Sequence, residues 1–256
     1  MTVLMCAPPL RATKAQEERA KWEDVTIGSD VHKRYLLHGP RDGETAPATG
    51  WKVLVVIPGG NGSAEFAPFV GRIRERALGN DWIVVQMIAP VWNDEQAKSV
   101  VWPTKLSPWP KMKFSCEELF AAVFDDVRKH QTLDPKHLVT LSWSSGGMLG
   151  YTLGAQAKTP VTGTFVAMSV FKPDGLPNLK QAKNRRFYIL HSPDDFIPVQ
   201  MAETARAELA KRDAIVELAS YDGGHGWRGD AFARIQTGID WLTSDASASD
   251  PQSEGR

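Results

Sequence analysis

Short apolar runs, each cut off by glycine, proline or a small polar residue, restrict this chain more than any other feature. They fall at residues 52–57, 82–88, 137–141, 162–168, 186–190 and 215–221. The first stops at Pro58-Gly59-Gly60, the second at Ala89-Pro90 and the third at Ser142-Trp143-Ser144. Continuous apolar runs of this length, without strict alternation, suit strands covered on both faces. Helical patterns separate them, at 116–130, 145–157, 199–212 and 230–242. The sequence therefore predicts an α/β fold, with a mainly parallel central sheet and helices on both faces. The 116–130 helix carries a clear start signal, because Ser115 and Glu118 have capping-box spacing. That makes Cys116 a first-turn residue rather than a catalytic one.

A chain of 256 residues suits one large domain of this class. We place an N-terminal extension at 1–24, helical or loosely ordered in its charged part, the domain at 25–243, and a disordered tail at 244–256. Basic and acidic residues balance at 30 each, which gives no footprint for nucleic acid and no polybasic patch for a membrane surface. Two cysteines exclude a disulfide framework, and no Cys/His cluster has metal-ligand spacing. The opening Met1–Ala7 is too short for a secretory h-region and lacks a basic n-region. No apolar run reaches the length of a membrane span. The expected location is cytoplasmic. Oligomeric state has no signature in the sequence.

Chemistry enters at Leu141-Ser142-Trp143-Ser144-Ser145-Gly146-Gly147, between a strand and a helix. A Gly-x-Ser-x-Gly elbow holds its central serine on a tight strand-to-helix turn, so the flanking positions must be small. The hydroxyl is then exposed above the sheet, and the helix N-terminus favours developing negative charge. Ser142 stands in for the first glycine. Ser144 is the candidate nucleophile, and Ser145 would supply a backbone amide.

A serine hydroxyl needs an adjacent base, and the base needs a group to hold its tautomer. Downstream, the 186–190 strand runs into His191-Ser192-Pro193-Asp194-Asp195, and the 215–221 strand into Asp222-Gly223-Gly224-His225-Gly226-Trp227. His225, between glycines on a loop that can bend over the sheet edge, is the candidate base. His32, His38, His130 and His137 read as surface or satisfied residues, and His191 as a tie within its loop. Spacing alone leaves Asp194 and Asp195 both open as the acid. Upstream, Pro58-Gly59-Gly60-Asn61-Gly62 lets backbone N–H groups face a substrate carbonyl, and Gly60 and Ser145 are the candidate oxyanion donors. A phosphate loop would need Gly-x-Gly-x-x-Gly spacing or a Walker lysine, and neither is present. Nine tryptophans are many for this length. Asn61, Trp102, Trp143 and Trp227 are placed at the substrate, although the tryptophans could equally pack core and loops.

These segments resemble the α/β-hydrolase superfamily, particularly the dienelactone hydrolases and the phospholipase/carboxylesterase-like esterases. The likeness runs from about Val53 to Trp241 and rests on the Pro58 turn, the Ser144 elbow, the His191–Pro198 loop and Gly223-Gly224-His225-Gly226. In such relatives the acid is commonly the fifth residue of a His-Gly-x-x-Asp-x-x-Val-Pro run. That register meets His191, Asp195 and Pro198, and so favours Asp195. Pro58 stands where many relatives have the histidine of a His-Gly oxyanion motif, and Ser192 replaces the glycine after His191. Dienelactone hydrolases proper carry cysteine at the elbow. Ser144 therefore implies esterase-like chemistry, in which a small-molecule carboxylic ester is cleaved through an acyl-enzyme without metal or organic cofactor. The same triad could serve a peptidase or an acyltransferase, and the fold could also persist in a non-catalytic binding protein.

Overall fold

The computed structural model describes residues 22–41 and 43–244. Eight strands form one sheet: β1 (Glu23–Thr26), β2 (Arg34–His38), β3 (Trp51–Ile57), β4 (Trp82–Met87), β5 (Leu133–Trp143), β6 (Gly163–Ala167), β7 (Arg186–His191) and β8 (Ile215–Ser220). Their order is β1-β2-β4-β3-β5-β6-β7-β8. The strands from β3 to β8 pair in parallel, and the β1–β2 and β2–β4 pairs are antiparallel. All six predicted strands are present. β1 and β2 are additional, and β1 takes up Glu23 and Asp24, which the sequence assigned to the extension. Most of that extension and the tail beyond Ser244 lie outside the described residues.

Alternation along β3 explains the layering, because successive side chains leave a strand on opposite faces. Val53, Val55 and Ile57 join one buried cluster with Leu119, Phe120 and Val123 of α3 (Cys116–His130) and Leu149 and Leu153 of α4 (Gly147–Ala155). Leu54 and Val56 join another with Val70 and Ile73 of α1 (Ala67–Arg76) and Ile235 and Ile239 of α6 (Ala231–Thr243). α2 (Asp94–Ser99) lies between β4 and α3, and α5 (Val199–Ala210) packs Ala202, Ala205 and Leu209 against Phe187 and Ile189 of β7. The four expected helices are present with bounds within a few residues, α4 being preceded by a 3-10 turn at Ser144–Gly146, and α1 and α2 are additional. No helix among the described residues is long and apolar enough to cross a membrane.

The α3 start behaves as its spacing predicts. The Ser115 hydroxyl accepts from the Glu118 N–H at 3.3 Å, and the Glu118 carboxylate accepts from the Ser115 N–H at 2.8 Å. Cys116 is fully buried there, and burial pushes its thiol pKa up, which leaves it inert.

One histidine departs from expectation. His38 is not a surface or satisfied residue: only 1% exposed in β2, it has neither ring nitrogen hydrogen-bonded. Desolvation pushes its pKa down to about 4, the Arg74 guanidinium adds to that, and the Gln86 amide opposes it. Strand β2 carried too little apolar pattern on its own to reveal that its last residue points under α1.

The order of the sheet also fixes where a site can form. The chain leaves β3 to build β4 on one side and later β5 on the other. In open α/β sheets ligands bind beyond the carboxyl ends of the strands at such a switch point. The turn after β3 carries Gly60, and the turn after β5 carries Ser144.

Candidate active site

Ser144 follows the last residue of β5 with φ +52°, a left-handed conformation that is strained for a residue with a side chain. Such strain costs about 1–3 kcal/mol and persists only where the surroundings over-determine it. Here they do. A Cβ on Gly146 would sit 2.5 Å from the Ile57 carbonyl oxygen, and one on Gly147 would sit 2.1 Å from Ser169 Oγ. The Ser169 hydroxyl donates to the Ser144 carbonyl at 2.7 Å. The glycines let α4 press against the sheet, and Ser169 pins the strained peptide. Nothing in the sequence marks Ser169, which lies beyond β6 and far from any motif.

Ser142, the substitute for the first elbow glycine, is fully buried and donates from its hydroxyl to the Phe165 carbonyl at 3.2 Å. Room for that hydroxyl comes from α4: a Cβ on Gly150 would lie 2.1 Å from Ser142 Oγ. The missing glycine of the elbow is thus offset by a glycine on the facing helix.

The loops that carry the candidate acid and the candidate base converge on Ser144. His225 Nε2 lies 3.0 Å from Ser144 Oγ, and His225 Nδ1 lies 3.0 and 2.9 Å from the two carboxylate oxygens of Asp195. An ionised carboxylate only accepts, so Nδ1–H donates to Asp195 and Nε2 is left to accept from the serine hydroxyl. Asp195 is 8% exposed, and its Oδ1 also accepts from the Ile197 N–H at 2.8 Å. Asp194 makes no hydrogen bond or ion pair with His225 among the described residues; its N–H donates to Ser192 Oγ at 3.3 Å.

Both loops are built to hold this line. Gly223, Gly224 and Gly226 around the base all have positive φ, which a side chain would oppose. His191 Nε2 pairs with the Ile197 carbonyl at 2.9 Å, the tie expected of it. The Ser192 hydroxyl also accepts from the Gly224 N–H at 3.1 Å, so one side chain joins the acid loop to the base loop. Ser192 appears in the sequence only as a departure from its relatives' glycine, without a visible role. Tyr221 donates its hydroxyl to the Gly224 carbonyl at 2.7 Å; burial, and secondarily the Asp195 charge, raise its pKa and keep it a donor.

The two candidate oxyanion donors lie side by side: the Ser145 hydroxyl donates to the Gly60 carbonyl at 2.8 Å. Ser145 sits in the first turn of the helical segment, where backbone N–H groups have no intrahelical acceptor. Beside this pair opens a cavity of about 930 Å3, walled by Trp102, Met148 and Phe171 among others. A cavity of about 470 Å3 at the opposite end of the sheet, beside Leu133 and Asp134, contains none of the predicted residues.

The predicted substrate contacts divide. Trp102 lines the larger cavity and also donates its indole N–H to the Pro58 carbonyl at 3.0 Å, bracing the glycine-rich turn. Trp143 and Trp227 do not line it. Their rings meet edge-on at 5.8 Å and pack with Phe69 on the opposite layer. The reason is alternation: Trp143 precedes the turn on β5 and must leave the strand away from α4. Asn61 faces a separate groove with Ser63 and Glu65, and its carbonyl oxygen accepts from the Ser63 N–H at 3.1 Å. Met148 and Phe171 are wall residues that no motif marked.

No family model matches the chain, and no curated protein does. Solved structures share its architecture. Thermogutta terrifontis esterase 2 with butyrate bound has a TM-score of 0.61 at 15% identity, over 89% of this chain and 93% of that one. A sugar hydrolase (YeeB) from Lactococcus lactis gives 0.60 at 15% identity, over 86% and 96%. MGS-M1, an alpha/beta hydrolase enzyme from a Medee basin deep-sea metagenome library, gives 0.60 at 14% identity, over 87% and 97%. At such identities the likeness speaks for the fold, and the fold of this chain is the α/β-hydrolase fold.

Proposed function

We propose that this chain is a serine hydrolase that cleaves carboxylic esters, with Ser144 as nucleophile, His225 as general base and acid, and Asp195 as the residue that orients the imidazole. The observation that carries this reading is the unbroken hydrogen-bonded line from Asp195 through His225 to Ser144, at 2.9 and 3.0 Å, ending on a strained turn. His225 takes the hydroxyl proton as Ser144 Oγ attacks the carbonyl carbon. The oxyanion is received by the Gly60 and Ser145 amides. Collapse breaks the C–O bond to the alcohol, which leaves with the proton from His225. Water, deprotonated by the same ring, then attacks the acyl-enzyme and frees Ser144. Asp195 remains ionised throughout and stabilises the imidazolium.

The likeness to esterases supports the same reading. Thermogutta terrifontis esterase 2 is phosphonylated by sarin and phosphorylated by paraoxon. The test is labelling with a fluorophosphonate probe of the intact chain, of Ser144→Ala and of Ser145→Ala. Loss of label in Ser144→Ala alone is expected. A folded intact chain that takes no label overturns the reading in favour of a non-catalytic binding protein.

A further inference from the structure

Phe196 is the most exposed large apolar residue among those described, at 76%, and the only aromatic in that group. Its ring centroid lies 4.4 Å from that of His225, with the planes tilted by 42°. A single exposed apolar ring is ordinary on a protein surface; what sets Phe196 apart is that its exposed ring lies against the His225 imidazole. The loop does not leave it there by slackness. On one side, Asp195 is buried and its carboxylate accepts from the Ile197 N–H. On the other, Ile197 is buried and its carbonyl is held by His191. With both neighbours turned inward and tied, the side chain between them is presented outward, over the imidazole.

The reaction geometry says what would meet it. This step rests on the serine-hydrolase reading above. The alcohol oxygen must receive its proton from His225 Nε2, so the alcohol half of the ester lies on the His225 side of Ser144. The oxyanion faces Gly60 and Ser145. The large cavity begins at those two residues, and no residue of the acid or base loop lines it. It therefore takes the acyl half, which leaves the alcohol half to the surface that Phe196 covers.

We infer that Phe196 is a specificity-determining residue for the leaving group, an aromatic platform that favours esters of aryl-alkyl alcohols over those of small alkyl alcohols. Ring-on-ring contact and removal of two apolar faces from water supply the selectivity. Phe196 takes no part in bond making.

The test keeps the acyl group constant and varies the alcohol. Phenethyl butyrate and ethyl butyrate have leaving groups of similar basicity, so the ratio of their kcat/KM values reports recognition. That ratio is expected to fall about 10-fold in Phe196→Ala and to be retained in Phe196→Trp. Because the ring is exposed, the alanine variant should fold as the intact chain does. Equal loss on both esters, or an unchanged ratio, overturns the inference, since Phe196 would then act only through His225 or not at all. An intact chain that takes the fluorophosphonate label but hydrolyses neither ester also overturns it, while leaving the activated serine standing. Absence of both label and hydrolysis overturns the serine-hydrolase reading and this inference with it.

Discussion

The pairing of Ser142 with Gly150 can be broken and repaired. Gly150→Ala places a methyl carbon 2.1 Å from Ser142 Oγ and 2.9 Å from Ser142 Cβ, in a fully buried contact, with only ordinary contact to Val166 at 3.5 Å. Overpacking of this kind costs about 1–3 kcal/mol. Alanine in place of glycine inside α4 returns about 1 kcal/mol. The contact lies well inside any tolerable distance, so the cost should sit at its upper end and leave a net loss of about 2 kcal/mol. In a domain of this size that lowers Tm by roughly 4–8 °C. Ser142→Gly alone loses the hydroxyl bond to the Phe165 carbonyl and should cost about 1 kcal/mol. In that background the new methyl group has room, and Gly150→Ala should become neutral or stabilising. The double-mutant cycle is therefore expected to show a coupling of about 2–3 kcal/mol in urea unfolding. Gly154→Ala is the control: its clash is with Thr164 and Phe187, so Ser142→Gly should not relieve it. Additive effects of Ser142→Gly and Gly150→Ala would refute the claim that this glycine makes room for the elbow serine.

Two further outcomes are expected. Asp195→Asn should lower kcat on an ester substrate by about 10³–10⁴-fold, by offering the wrong tautomer to His225, whereas Asp194→Asn should change it little; comparable losses in both would undo the choice between them. His38 has a folded pKa of about 4, below the ordinary value near 6.5, so the unfolded chain binds its proton first. Its contribution is fully present above pH 6.5 and is lost as pH falls towards 4, a change of about 3 kcal/mol that His38→Gln should remove from the pH dependence of urea unfolding; parallel curves for the two proteins would contradict it.

The parts of the site that could be read from the sequence share one property: their chemistry is tied to a backbone shape that only small residues permit. Ser144 needs Gly146 and Gly147 beside it, and His225 needs Gly224 and Gly226, so the reactive residue and its local constraint appear together in the chain. The parts that could not be read depend on which way a side chain leaves its strand. Trp143 and Trp102 look alike as letters, yet one packs with Phe69 and the other walls the cavity. β2 carries too little pattern of its own to stand out as a strand, because its five residues make sense only when paired with β4, and that pairing is what buries His38.

Ser142 and Ser192 show why departures from a family pattern can be read two ways. Each replaces a glycine, and each looks in the sequence like a weakened motif. In the fold each hydroxyl makes a hydrogen bond that glycine could not make. Ser142 reaches the Phe165 carbonyl, across the strand pair β5–β6, and Ser192 reaches the Gly224 N–H, across the two loops that must deliver Asp195 and His225 together. Ser142 ties β5 to β6 just before Ser144, and Ser192 ties the loop of Asp195 to the loop of His225. A substitution that costs a motif its match can therefore tighten the geometry the motif exists to produce. Whether it does depends on a partner such as Gly150, which sits in the sequence with no mark of its purpose.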